Sequence, residues 1–197
     1  MSSRHTDSDL DWFREKAAKQ AGVTARYADA ACELGDCLAA MAREGRGAYL
    51  SGPVGAGKTH ALMAAARQLA PYSRTRCRVV AFSALVAQAR SAWRSNGGDG
   101  YDWLLDAARK PVLMLDELGE GRMTEGYAAD LYRIVDARYQ DGLPLLCASN
   151  LALPVLGDAL MAGTDETTAR RIVSRLAEMC EPIAVDGPDR RLGRRGR

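Results

Sequence analysis

Apolar positions along the chain follow two alternating rhythms. Short, nearly unbroken apolar runs at residues 47–52 (GAYLSG), 76–84 (RCRVVAFSA), 111–117 (PVLMLDE), 143–150 (LPLLCASN) and 182–186 (PIAVD) read as strands. Runs without polar alternation fit strands covered on both faces. Between them, apolar residues recur three and four apart over 61–70, 85–93, 101–110, 125–140 and 165–180, which predicts amphipathic helices. Two more helices precede the first strand, at 8–20, ended by Gly22, and at about 30–43, ended by Gly45. SNGGDG, at 95–100, reads as a loop. Strands alternating with helices predict an α/β fold of three layers, with a mostly parallel five-stranded sheet between helices.

The helix over 165–180, DETTARRIVSRLAEMC, gathers Ala169, Ile172, Val173, Leu176, Met179 and Cys180 on one side. Arg171 and Arg175, four apart, stack on the opposite, exposed side. Solubility explains such a pair when it is read alone. Glu178 shares the face and offers Arg175 an ordinary ion-pair partner.

Composition narrows the classes. A chain of 197 residues, 47% hydrophobic and 26% charged, forms one domain with a sizeable core and is not disordered. The net charge of +2 says little about partners. The C-terminal RRLGRRGR is strongly basic, whereas DSDLD near the start is acidic. A basic tail suits either contact with phosphate backbones or a solubilising end. The five cysteines are scattered without a CxxC pair, so neither a disulfide framework nor a zinc site is expected, and at least three read as buried thiols. No stretch approaches 18 apolar residues, so a cytoplasmic protein without a membrane span is expected.

The strongest chemical signal is GPVGAGKT at residues 52–59, which fits G-x-x-x-x-G-K-[ST]. It follows a predicted strand and opens a predicted helix, the context this motif needs. Gly52, Pro53, Val54, Gly55, Ala56 and Gly57 form a tight loop whose N–H groups can face phosphate oxygens. The helix behind it adds the positive end of its dipole. Lys58 reaches the β and γ phosphates of ATP, and Thr59 offers a hydroxyl to Mg²⁺. The buried strand ending at Asp116 and Glu117 supplies the second half. Asp116 suits the Mg²⁺ shell, and Glu117 suits a base that orients water, favouring hydrolysis over transfer to a metabolite. Asn150 ends a third strand, on the edge where parallel sheets bind ligands, and can donate to the γ-phosphate or the water. Trp93, Arg90 and Arg94, beside the glycine-rich residues 96–100, fit either core packing or stacking against single-stranded bases.

Taken together, GPVGAGKTH, DELG, LYRIVDARYQDGLPLLCASN and RRIVSRLAEMC followed by VDGPDRR resemble the DnaC/IstB-type AAA+ ATPases, bacterial helicase loaders and transposition helpers. AGVTARYADA (21–30) resembles the segment leading into their ATPase core, so the resemblance covers roughly residues 21–192. It implies an AAA+ P-loop domain over 23–192 with no separate C-terminal lid, a short helical extension over 1–22 suited to partner contact, and a basic tail over 193–197. It implies ATP and Mg²⁺ as cofactors and a replicative DNA helicase, single-stranded DNA and further copies of the chain as partners. A transposition helper and a nucleotide-gated adaptor with little turnover are the alternatives. For Arg175 it implies a finger acting on the ATP of a neighbouring subunit, with Arg171 a second basic position. His60 follows the motif as in the family. Members usually carry a Gly-Pro-x-Tyr-Arg-like element; here Gly187-Pro188-Asp189-Arg190-Arg191 keeps the arginine at Arg191, a candidate nucleotide contact, and lacks the tyrosine.

Overall fold

In the computed structural model of the chain, which describes residues 7–72, 76–96 and 100–189, five parallel strands form one sheet. They are β1 (Gly47–Ser51), β2 (Cys77–Ala81), β3 (Val112–Leu118), β4 (Leu145–Ser149) and β5 (Cys180–Ala184), in spatial order β2-β3-β4-β1-β5. Eight α-helices and one 3₁₀ turn (Ala25–Tyr27) are described; the α-helices are α1 (Asp7–Ala21), α2 (Glu33–Arg43), α3 (Lys58–Leu69), α4 (Phe82–Asn96), α5 (Gly100–Ala108), α6 (Glu125–Gln140), α7 (Leu153–Met161) and α8 (Glu166–Met179). Arg191, the arginine-rich tail, residues 97–99 and the Trp93 side chain lie outside what is described.

The apolar runs of the central strands β1, β3 and β4 each prove to be two interleaved sets. Ala48, Leu50, Val79, Met114, Leu146 and Ala148 turn to one face, where α1, α2 and α3 cover them. Tyr49, Leu113, Leu115, Leu145 and Cys147 turn to the other, beneath α4 to α8. Period-two alternation thus survives, but both faces need apolar residues because both are covered. Cys77, Cys147 and Cys180 are buried, as expected for three of the thiols.

Several boundaries differ from expectation. Residues 82–84 are helical, because α4 begins at Phe82 directly after β2 ends at Ala81. The last strand starts two residues early. Cys180 opens β5, paired opposite Gly47 of β1, so α8 passes into β5 without a loop. Helix α7 has no counterpart in the sequence reading. No described helix is long and apolar enough to cross a membrane.

At the N-terminal edge of the sheet, Arg138 of α6 is fully buried. Its guanidinium donates to the carbonyl oxygens of Ala108 (2.5 Å), Lys110 (2.9 Å), Pro111 (3.3 Å) and Pro144. These lie at the end of α5 and at the entries to β3 and β4, so one cation ties three elements together. Burial holds its pKa down to about 10.

Candidate functional site

At the opposite, C-terminal edge, the ends of β1, β3 and β4 lie side by side and carry the motifs found in the sequence. The loop after β1 is built on glycine for steric reasons. Gly55 and Gly57 adopt φ of 82° and 110°, in the left-handed region, and a Cβ on Gly52 would collide with the Val185 carbonyl that follows β5. Gly57 caps α3, so the first helical N–H groups open onto the loop. Lys58, 8% exposed, folds its ammonium inward. Its Nζ donates to Gly52 O (2.7 Å), Pro53 O (2.8 Å) and Asn150 Oδ1 (2.8 Å).

β3 delivers the acids. Burial pushes the Asp116 carboxyl up from its ordinary range, against the hydrogen bonds it receives from the Thr59 hydroxyl and the Glu117 N–H. Glu117 has φ of 57° and is the one described non-glycine residue with positive φ. That conformation costs on the order of 1 kcal/mol or more. It coincides with a register shift against β4 between Leu115 and Leu118, which turns the Glu117 side chain outward while Asp116 and Leu118 stay buried. Residues absent from the sequence reading hold this turn. The Ser149 hydroxyl donates to Leu118 O (2.5 Å), and Gly119 N donates to the Tyr127 hydroxyl (2.8 Å). The Tyr49 hydroxyl donates to Leu151 O (2.9 Å), fixing the turn after β4.

Asn150 links the two halves. Its Oδ1 accepts from Lys58, and its Nδ2 donates to Glu120 Oε1 at 2.6 Å. Lys58, Thr59, Asp116, Glu117 and Asn150 therefore line one cleft of about 660 Å³, which extends past Val54 and Gly55 to Arg26 and Tyr27. The last two went unnoticed in the sequence. His60 also lines it, but its Nε2 lies 3.2 Å from Ala31 O and its ring meets Tyr27 edge-on, so it braces the cleft wall.

The two arginines of α8 part company. Arg171 is exposed. Arg175 is not on an open face as expected; its side chain is 20% exposed and makes a 2.6 Å ion pair with Asp136 of α6. Its guanidinium carbon lies 5.1 Å and 5.3 Å from the ring centres of Tyr132 and Tyr139. Glu178 does not pair with it; its carboxylate accepts from the Tyr139 hydroxyl instead. Neither arginine lines the cleft of its own chain.

Comparison with known proteins accords with this geometry. The sequence profile of the family described as IstB-like ATP binding protein matches residues 37–197. The chain is 27% identical over 158 residues to the replicative helicase loader DnaI of Bacillus subtilis (strain 168), covering 75% of this chain and 48% of that one. It thus spans about half the length of that curated relative. Among solved structures, that of DnaI superposes with a TM-score of 0.61 at 27% identity, over 80% of each chain. The DnaC helicase loader gives 0.62 at 22% identity, over 83% of this chain and 100% of the other. AMPPCP-bound DnaA from Aquifex aeolicus gives 0.60 at 18% identity, over 84% of this chain and 51% of the other. The fold is that of an AAA+ P-loop protein.

Proposed function

Since the chain belongs to the family of IstB-like ATP-binding proteins, we propose that it is a cytoplasmic, Mg²⁺-dependent ATPase that acts as a helicase loader in DNA replication. The observation that carries the ATPase reading is the convergence of Lys58, Thr59, Asp116, Glu117 and Asn150 on one cleft at the C-terminal ends of three adjacent strands. The loader reading draws on the similarity to DnaI. On this reading residues 23–192 form the ATPase domain, while the 1–22 extension and the 193–197 tail serve partner and DNA contacts. Single-stranded DNA and further copies of the chain complete the assembly, with Arg175 acting across the interface. A transposition helper remains the second reading, because the matching family bears the IstB name.

The residues suit the groups they would hold. Thr59 and Asp116 offer hard oxygen donors in hydrogen-bond contact, fit for Mg²⁺, which when bound neutralises phosphate charge. The glycine loop and Lys58 offer N–H groups and a cation to the β and γ phosphates. Glu117, at the cleft wall, orients water and takes up its proton. Lys58→Ala should weaken Mg·ATP binding by ~10–100-fold, the loss of one charge-assisted contact set. Titration calorimetry checks this, and wild-type affinity in the variant overturns the site. Co-elution with the replicative helicase checks the loader reading.

Asp116 carries a pH-dependent expectation. Its folded pKa is raised, so its protonated form is favoured by the fold. That contribution is complete below the ordinary carboxylate range and is lost as pH rises through the raised folded value. Asp116→Asn should therefore melt higher than wild type at neutral pH without nucleotide, with the difference shrinking towards acid pH. The same variant should lose the extra stabilisation that Mg²⁺ adds to ATP. Calorimetric melting curves across pH test both, and a lower melting temperature at neutral pH contradicts the first.

A further inference from the structure

We propose that Glu120 is a positioning residue that fixes the orientation of the Asn150 amide, and through it the contact to the γ-phosphate; this rests on the reading of the cleft as an ATP site. The amide stands between a cation and an anion. Lys58 Nζ donates to Oδ1 at 2.8 Å, and Nδ2 donates to Glu120 Oε1 at 2.6 Å. Exchanging the oxygen and nitrogen would set N–H against ammonium and carbonyl oxygen against carboxylate, so both contacts enforce one orientation. Both are charge-assisted and stronger than neutral hydrogen bonds. A primary amide has two N–H groups. One is committed to Glu120, and the second serves a phosphate oxygen or the attacking water.

Glu120 is itself held by the turn that carries Glu117. Glu120 N donates to Glu117 O at 3.2 Å, Gly119 takes φ of 84°, and the Tyr127 and Ser149 hydroxyls fix Gly119 N and Leu118 O. One rigid turn thus aims the water-orienting carboxylate and locks the residue that meets the γ-phosphate. Without Glu120 the amide regains its broad terminal torsion, and the near-attack geometry is populated less often. Glu120 is exposed, so its hydrogen bond adds little to stability. The effect belongs to turnover and phosphate discrimination rather than to folding.

The test compares Glu120→Ala and Glu120→Gln in the wild-type and Asn150→Ala backgrounds. Glu120→Ala should lower kcat by about 10-fold with KM within about 2-fold and the melting temperature unchanged. Glu120→Gln should recover most of that loss, because its Oε1 accepts from the same Nδ2. Adding Glu120→Ala to Asn150→Ala should cost nothing further. In binding alone, the preference for a non-hydrolysable ATP analogue over ADP should shrink in Glu120→Ala and persist in Glu120→Gln. Wild-type kcat and analogue preference in Glu120→Ala, or additive losses in the double variant, overturn the proposal. If Lys58→Ala binds ATP normally, the site reading and this inference fall together; if only the Glu120 series is silent, the inference alone falls.

Discussion

Under conditions that allow the proposed assembly on single-stranded DNA, Arg175→Ala should bind ATP like wild type but hydrolyse it ~10³-fold or more slowly. An arginine finger contributes ~10³–10⁵ in rate, and the loss should fall on turnover because Arg175 does not line the cleft of its own chain. Its guanidinium is held against α6 by Asp136, Tyr132 and Tyr139, which fix the direction of a long side chain. The helix should survive the change, since alanine has the best helix propensity and the apolar face is untouched. The contacting atoms of the ion pair are buried, so its loss costs about 1–3 kcal/mol, and a melting curve confirms that the variant is folded before turnover is compared. Glu117→Gln supplies the complement. It keeps the P-loop and Arg175 but lacks the carboxylate that positions water. Mixing the two inactive variants should restore part of the activity, because one kind of interface pairs an intact Glu117 with an intact Arg175 from the neighbour. Full hydrolysis by Arg175→Ala alone, or no recovery on mixing where each variant still assembles, returns Arg175 to a packing role.

The second large effect is on folding. Arg138→Met keeps the unbranched apolar stem and most of the volume yet removes every donor that the Ala108, Lys110, Pro111 and Pro144 carbonyls share. Buried acceptors left without a donor cost ~1–3 kcal/mol each, reduced where water reaches them. The expected destabilisation is about 3–5 kcal/mol, or roughly 6–20 °C in melting temperature. Arg138 serves the N-terminal edge of the sheet and the cleft lies at the other. ATP affinity of the folded fraction should therefore match wild type. Denaturant titration with nucleotide binding below the transition separates the two, and a destabilisation under 1 kcal/mol refutes the anchoring role.

These two arginines also mark how far the sequence can be read. The phosphate loop, the Asp116–Glu117 strand end and Asn150 were legible because each depends on local order: a strand, a turn, a residue at the tip. The two-sided sheet was legible because its central strands are nearly unbroken apolar runs. The pairing of Arg175 with Asp136, and the bond from Asn150 to Glu120, were not, since their partners lie on other elements and no spacing rule joins them. Arg138 sits in the last turn of an amphipathic helix, where an arginine reads as a surface charge that complements the helix dipole. Only the approach of α5, β3 and β4 makes it an interior residue. The shift of residues 82–84 from strand to helix has a simpler origin. No glycine, proline or polar pair separates β2 from α4, so the apolar run carries no punctuation. Helix α7 was obscured by Pro154 at its start and Gly157 within it.

The direct passage from α8 into β5 makes the chain intolerant of a change in length at that point. Inserting one residue between Met179 and Cys180 demands slack that the backbone does not have. If the extra residue is absorbed by the helix, Arg175 rotates by about 100° and leaves Asp136 and the two tyrosines. If it is absorbed by the strand, Cys180 and its successors exchange faces along β1, and the thiol that packs in the core turns outward. Amino-acid substitutions can accumulate in this stretch, but insertions and deletions cannot. Homologous chains should therefore keep the distance from Arg175 to the strand beside the phosphate loop constant while the connection between α3 and β2 varies in length.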